Sequence, residues 1–167
     1  MTRLRLQSAL AFVVLAAAAL AQDSLVPKVP LVTATPPQPV TVAPGGSVRV
    51  ELRFRVSPGY HINSNKPRSE FLIPTSLKLK PSVNFTPGTV VYPEGKDLSF
   101  AFSPKEKLNV YAGEFIVRAE LRALASAPAG SYKVPGELRF QACNDRACFP
   151  PSKLPVEVEV TVRKPRS

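Results

Sequence analysis

The stretch SVRVELRFRV, Ser47–Val56, alternates without a break: Val48, Val50, Leu52, Phe54 and Val56 occupy every second position, and Arg49, Glu51, Arg53 and Arg55 lie between them. Successive side chains of a β-strand point to opposite faces, so this period of two puts the apolar set on a core and the charged set in water. A helix would scatter the same residues around its circumference. Near the other end VEVEVTV repeats the arrangement with Val156, Val158, Val160 and Val162. Two strands with one wet face each describe antiparallel sheets covering a core from one side.

Between these two segments the sequence predicts shorter strands around residues 60–63, 76–80, 89–92, 114–123 and 137–142. They are separated by the turn signals Ser57-Pro58-Gly59, Pro87-Gly88, Pro93-Glu94-Gly95 and Ala129-Gly130. No window beyond the N-terminal segment carries a 3.6-residue period, and 19 prolines are hard to place in helices because each lacks the amide donor. The fold class expected is all-β, an immunoglobulin-like antiparallel β-sandwich. Upstream, PKVPLVTATPPQP (Pro27 to Pro39) reads as an extended, poorly paired lead-in. The folded domain is therefore expected over residues 40–164, with a Pro-rich segment at 22–39.

The chain begins MTRLRLQSALAFVVLAAAALAQDS: Arg3 and Arg5, an apolar run from Ala9 to Leu20, then the small-residue triplet Ala19-Leu20-Ala21. That order is a secretory signal peptide over residues 1–21. The apolar run is well short of the ~20 residues a membrane-spanning helix needs. We expect cleavage after Ala21, a periplasmic or secreted bacterial protein, and no stable membrane insertion afterwards. The formal net charge is +10, but the basic residues (Arg49, Arg53, Arg55, Lys78, Lys80, Lys105, Lys107, Arg139) are spread over outward strand positions. This is a solvated basic surface, and no nucleic-acid partner is expected.

Two cysteines are present, Cys143 and Cys148, within FQACNDRACFPP (Phe140 to Pro151). As an inert staple they would contribute little: closing so short a loop stabilises a fold by roughly 2 kcal/mol, against nearly 5 for a loop of about a hundred residues. As metal ligands they lack company, since a closed zinc site wants four Cys or His and only His61 can join them; no metal or cofactor is expected. As an exchanging pair they are well placed. Asn144-Asp145-Arg146-Ala147 is a polar surface turn, Arg146 favours a thiolate while Asp145 opposes it, and an exported chain meets conditions in which disulfides persist. The residues alone leave the staple and the exchanging pair both open. No Ser/His/Asp arrangement, glycine-rich phosphate loop or carboxylate pair is evident.

QACNDRACFPP, preceded in order by GYHINSNKP (Gly59 to Pro67), VVYPEGK (Val90 to Lys96) and VYAGE (Val110 to Glu114), resembles the N-terminal periplasmic domain of the thiol:disulfide interchange protein DsbD family. The resemblance implies an immunoglobulin-like sandwich whose cysteine pair relays electrons. The donor would be a thioredoxin-like protein or domain, and the acceptors oxidised periplasmic proteins such as a disulfide isomerase or cytochrome maturation proteins. It implies that Cys148 forms mixed disulfides and Cys143 resolves them. It also implies a loop with an aromatic tip that caps the pair, here within GKDLSFAFSP, so that Phe100 or Phe102 is the cap. The GYHIN strand would run beside the cysteines: Tyr60 packs near the pair, and His61 either adjusts a thiolate or has a partly exposed structural role. Tyr92 and Tyr111 are expected in the core or at a sheet edge. Here four residues separate the cysteines, one fewer than in the best-known members. A rival reading of the same features is a non-catalytic immunoglobulin-like binding or scaffold module with a structural disulfide.

Overall fold

The structure is a computed structural model describing residues 30–100 and 103–164. The expected signal peptide, residues 22–29 of the Pro-rich segment, and Phe102 lie outside the described residues. Among the described residues all regular structure is strand, and no helix is long and apolar enough to cross a membrane. The fold is an all-β, immunoglobulin-like sandwich.

The first sheet is built on β3 (Ser47–Val56), which pairs antiparallel with β9 (Glu114–Ala123) from Ser47 opposite Arg122 to Arg55 opposite Glu114. β1 (Val32–Thr35) and β6 (Phe85–Val91) flank them, giving the order β1-β3-β9-β6. The second sheet is built on β10 (Gly130–Phe140) and β12 (Ser152–Val162), paired antiparallel over eleven residues each. β5 (Ser76–Leu79) lies on one side and β2 (Val40–Val42) on the other, with β2 running parallel to β12. As the alternation requires, Val50, Leu52, Phe54 and Val56 are buried while Arg49, Glu51, Arg53 and Arg55 are exposed. They meet Val117, Ala119 and Leu121 of β9 and Val134, Leu138, Val158 and Val160 of the second sheet in one apolar core.

A third sheet closes one end of the sandwich, in the order β11-β4-β8-β7: β11 (Ala142–Cys143), β4 (His61–Asn63), β8 (Ser103–Tyr111) and β7 (Lys96–Phe100). Its strands continue those of the other two. β3 runs into β4 through Ser57-Pro58-Gly59-Tyr60, where Tyr60 N donates to Ser57 O (3.1 Å) and Gly59 has φ +80°. Proline at the second turn position and a positive-φ glycine at the third make this a type II turn. β10 continues through Gln141 into β11. β8 turns through Gly113, φ +67°, into β9, and Gly113 O accepts from Val56 N (2.9 Å), locking that corner to the end of β3.

Four details differ from the expectation. Pairing starts at Val32 and not near Val40, because Val32–Thr35 is a proline-free island whose Val32 is buried and whose residues pair with Val56 to Arg53 on an outer position of the sheet. Pro87-Gly88 is a register shift inside β6 and not a turn. Strand β10 begins at Gly130 and passes through Pro135-Gly136; Pro135 lies just past the end of the β5 ladder, where its carbonyl accepts from Lys80 N (2.8 Å). Strands β7 and β8 were not foreseen, since Lys96 to Ser99 of β7 are all exposed and carry no core-facing alternation.

Leu121 is fully buried in the middle of the core. Leu121→Ala should cost about 2–5 kcal/mol, read as a lower denaturant midpoint with an unchanged slope, whereas Val83→Ala, at a residue 85% exposed, should shift it by no more than about 0.5 kcal/mol.

Candidate functional site: a disulfide hairpin on the edge of the end sheet

Cys143 and Cys148 are bonded, with S–S 1.97 Å and Cα atoms 3.9 Å apart. They stand opposite each other as an antiparallel bridge. Asn144 N donates to Ala147 O (2.9 Å) and Phe149 N donates to Ala142 O (2.8 Å) on either side of them. Bonds placed on the flanking residues make the cysteines a non-hydrogen-bonded pair, the register in which opposite Cα atoms come closest. The four-residue spacing is what allows it. Asn144 folds the loop by accepting from both Arg146 N and Ala147 N (2.8 Å each) through its side-chain oxygen, the local bond that makes asparagine a turn former.

The two sulfur-bearing residues differ in access. Cys143 is fully buried, paired with His61 across β11 and β4; Cys148 is exposed. Arg146 is exposed at the hairpin tip. Phe149, just past the second cysteine, is half-buried against Tyr60, ring centroids 5.9 Å apart.

His61 is 4% exposed, which corrects the expectation of partial exposure: as a residue of a strand two deep in the end sheet, it has β11 on one side. Phe100, the last residue of β7, stacks on its imidazole with centroids 3.9 Å apart and planes 17° from parallel. Directly opposite residues of an antiparallel pair project from the same face, so Cys143, His61 and Phe100 are successive neighbours from β11 across β4 to the end of β7. Burial pulls the His61 pKa from 6.5 down to about 4, so the ring is neutral at pH 7. Phe102, the other cap candidate, lies outside the described residues. Tyr111 is buried and stacked on Phe115 (4.8 Å), and Tyr92 is half-buried with its hydroxyl accepting from Leu77 N (2.8 Å).

A polar brace under the hairpin was not anticipated. The Gln141 side-chain carbonyl accepts from Asn63 Nδ2 (3.2 Å) and Ile73 N (3.3 Å), and its Nε2 donates to Phe149 O (3.3 Å). Asn63 Nδ2 also donates to Ile73 O (3.0 Å), and Thr75 Oγ1 donates to Asn63 O. One amide thus holds the hairpin exit, strand β4 and the loop of residues 64–75 together. That loop is tied again at its far side, where Arg68 bonds Asp97 of β7 through both Nε (3.1 Å) and a terminal nitrogen. The Arg68 bond, then that from Asn109, holds the Asp97 carboxyl down to about 2. The one signal in the sequence was a glutamine breaking the alternation directly before the cysteine segment. Among the described residues no three His, Cys, Asp or Glu side chains cluster as metal ligands would.

A family model described as thiol:disulfide interchange protein DsbD, N-terminal, matches residues 28–159. The chain belongs to the DsbD N-terminal domain family. A search of the curated proteins finds no match. Among solved structures, the N-terminal periplasmic domain of ScsB from Proteus mirabilis shares the fold with a TM-score of 0.51 and 17% identity; the alignment covers 76% of this chain and 44% of that one, so this chain spans less than half of that relative's length. The Neisseria meningitidis DsbD N-terminal domain in its reduced form is 22% identical with a TM-score of 0.41, over 67% of this chain and 77% of that one. The DsbD N-terminal domain from the same organism, in its complex with the PilB N-terminal domain, is 22% identical with a TM-score of 0.41, over 74% and 80%.

The depressed His61 pKa has a consequence for stability in this DsbD N-terminal domain. The unfolded chain binds a proton at His61 near pH 6.5, while the folded chain resists it down to about 4. This contribution is therefore full above pH 6.5 and is lost as pH falls through about 4, on the order of 3 kcal/mol in all. Asp97 acts in a lower window, between its usual range and about 2. His61→Phe keeps a ring for Phe100 and removes the titration, so the slope of unfolding free energy between pH 6.5 and 4 should flatten; a slope equal to the wild type's would refute the assignment.

Proposed function

We propose that the protein performs thiol–disulfide interchange in the periplasm, relaying electrons from a thioredoxin-like donor to oxidised periplasmic proteins through Cys143 and Cys148. The observation that carries this reading is the asymmetry of the bridge: one sulfur-bearing residue is buried against β4 and the other is exposed on the hairpin edge. An inert staple gains nothing from such an arrangement. A relay needs it, because the incoming thiolate must strike one sulfur and expel the other. Membership of the DsbD N-terminal family supports the same reading.

The chemistry balances without a cofactor. A donor thiolate attacks Sγ of Cys148, a bond forms between those two sulfurs, the Cys143–Cys148 bond breaks, and its electron pair remains on Cys143, which takes a proton. The donor's second thiolate then attacks its own sulfur in the mixed disulfide and releases Cys148. The donor leaves oxidised, and two electrons and two protons have moved. Toward an oxidised acceptor, a disulfide isomerase or a cytochrome maturation protein, Cys148 attacks and Cys143 resolves. Phe100, stacked on His61 at the end of β7, is the cap of this reading, the side chain that a partner displaces to reach the pair.

Two results test the assignment. Cys143→Ser should trap a thioredoxin-like protein covalently through Cys148, and Cys148→Ser should not; equal trapping by both would overturn the roles, and trapping by neither would favour the scaffold reading. In the reduced protein, Phe100→Ala should speed alkylation of Cys148 severalfold with little change in melting temperature, and an unaltered rate would remove Phe100 as the cap.

A further inference from the structure

Two aromatic or aliphatic side chains among the described residues are almost wholly in water: Phe71, 86% exposed, and Val83, 85% exposed. A single exposed apolar side chain is ordinary on a protein surface. Position separates these two. Val83 lies in the β5–β6 connection beside Asn84, whose carbonyl accepts from Leu124 N just past the end of β9, so it sits at the end of the sandwich remote from the disulfide. Phe71 lies in the loop of residues 64–75, at the disulfide end.

That loop is held at several points. Ser64 N donates to Asn109 O (2.9 Å) and Thr75 N to Ser64 O (3.1 Å), closing its base. Arg68 is fastened to Asp97, and Ile73 is gripped through its N–H by Gln141 and through its carbonyl by Asn63. Between these anchors a tight turn, Leu72 N to Ser69 O (3.2 Å), presents Phe71 outward. The Gln141 amide that holds Ile73 also holds Phe149 O, so the backbones of Ile73 and Phe149 lie within about 10 Å of each other. Phe149 follows Cys148 directly.

We propose that Phe71 is a docking anchor for the thioredoxin-like protein that reacts with Cys148. This rests on the interchange reading above and adds the surface the partner uses. A protein that brings its own sulfur to Cys148 covers a patch around it; a standard interface of about 800 Å² per partner is roughly 32 Å across, enough to include both Cys148 and Phe71. Aromatic side chains that enter a partner's pocket carry much of the binding energy in such patches. A pinned loop offers the ring with its backbone already ordered, which lowers the entropy cost of association. The occupant is a protein whose redox sulfur is bordered by an apolar hollow.

The experiment follows reduction of the disulfide in the full protein by reduced thioredoxin and, separately, by dithiothreitol, in wild type, Phe71→Ser, Phe71→Leu and Val83→Ser. The expected result is a roughly tenfold loss of kcat/KM toward thioredoxin in Phe71→Ser, the scale of one aromatic anchor. It should lie mainly in KM, with partial recovery in Phe71→Leu, wild-type behaviour in Val83→Ser, and equal dithiothreitol rates throughout. Wild-type kinetics in Phe71→Ser would overturn the anchor and leave the interchange reading standing. An equal fall with dithiothreitol would overturn it too, by making the effect structural. Failure of thioredoxin to reduce even the wild type would instead sink the interchange reading. A dimer abolished by Phe71→Ser in sedimentation would assign the ring to a second copy of the chain and refute the proposal.

Discussion

The pairing of β11 with β4 sets Ala142 and Cys143 against Ile62 and His61, and this ladder makes the disulfide hairpin part of the end sheet. Two residues per strand make a weak ladder; isolated two-stranded pairs are marginal in water. What makes this one hold is its setting. Ile62 and Ala142 are buried in the core, Asn63 N donates to Gln141 O (3.3 Å), and the Gln141 side chain ties the strand before the first cysteine to the residue after the second. Without that brace the hairpin would be a loop on a tether, and the difference in exposure between its cysteines would have no fixed meaning.

The same setting explains why the buried polar residues are gathered in one place. His61, Asn63, Ser64 and Thr75 are all buried, and all belong to β4 or the loop that follows it, while the other buried side chains among the described residues are, apart from Cys143, aliphatic and aromatic. Burying an amide or hydroxyl is tolerable only where it is hydrogen-bonded. Here the bonds go chiefly to backbone groups of an irregular loop that has no ladder partners of its own. Polarity at this end gives a bend, a loop and a hairpin fixed positions relative to one another, which a purely apolar core would not specify.

Much of the sandwich was legible in the chain because one face of each long strand is wet. β9 was read with its observed bounds, and β3 and β12 through their alternation. The places where reading failed share a cause. β1 is short and framed by prolines, so local composition outweighed a pairing that only β3, twenty residues on, can provide. β7 is exposed along most of its length, so nothing in its composition marks it; it exists because β8 pairs with it. Gln141 and Asn63 were visible as letters but not as a brace, since their bonds span up to 78 residues of sequence. His61 was misjudged for the same reason: what buries it comes from β11 and from Phe100, both distant in the chain.

From the sequence by itself came the two-residue period that makes strands, the turn residues that end them, and the four-residue spacing that lets two cysteines meet across a hairpin. These are local properties, decided by backbone sterics and by which side chains water rejects. Only the tertiary structure decided which cysteine is open, because exposure depends on what other segments lie against each residue. Cys143 is covered because β4 is beside it, and Cys148 is open because it is on the outer edge of the end sheet. No pattern within the cysteine segment encodes that difference; it arises where strands from both layers of the sandwich turn the same corner.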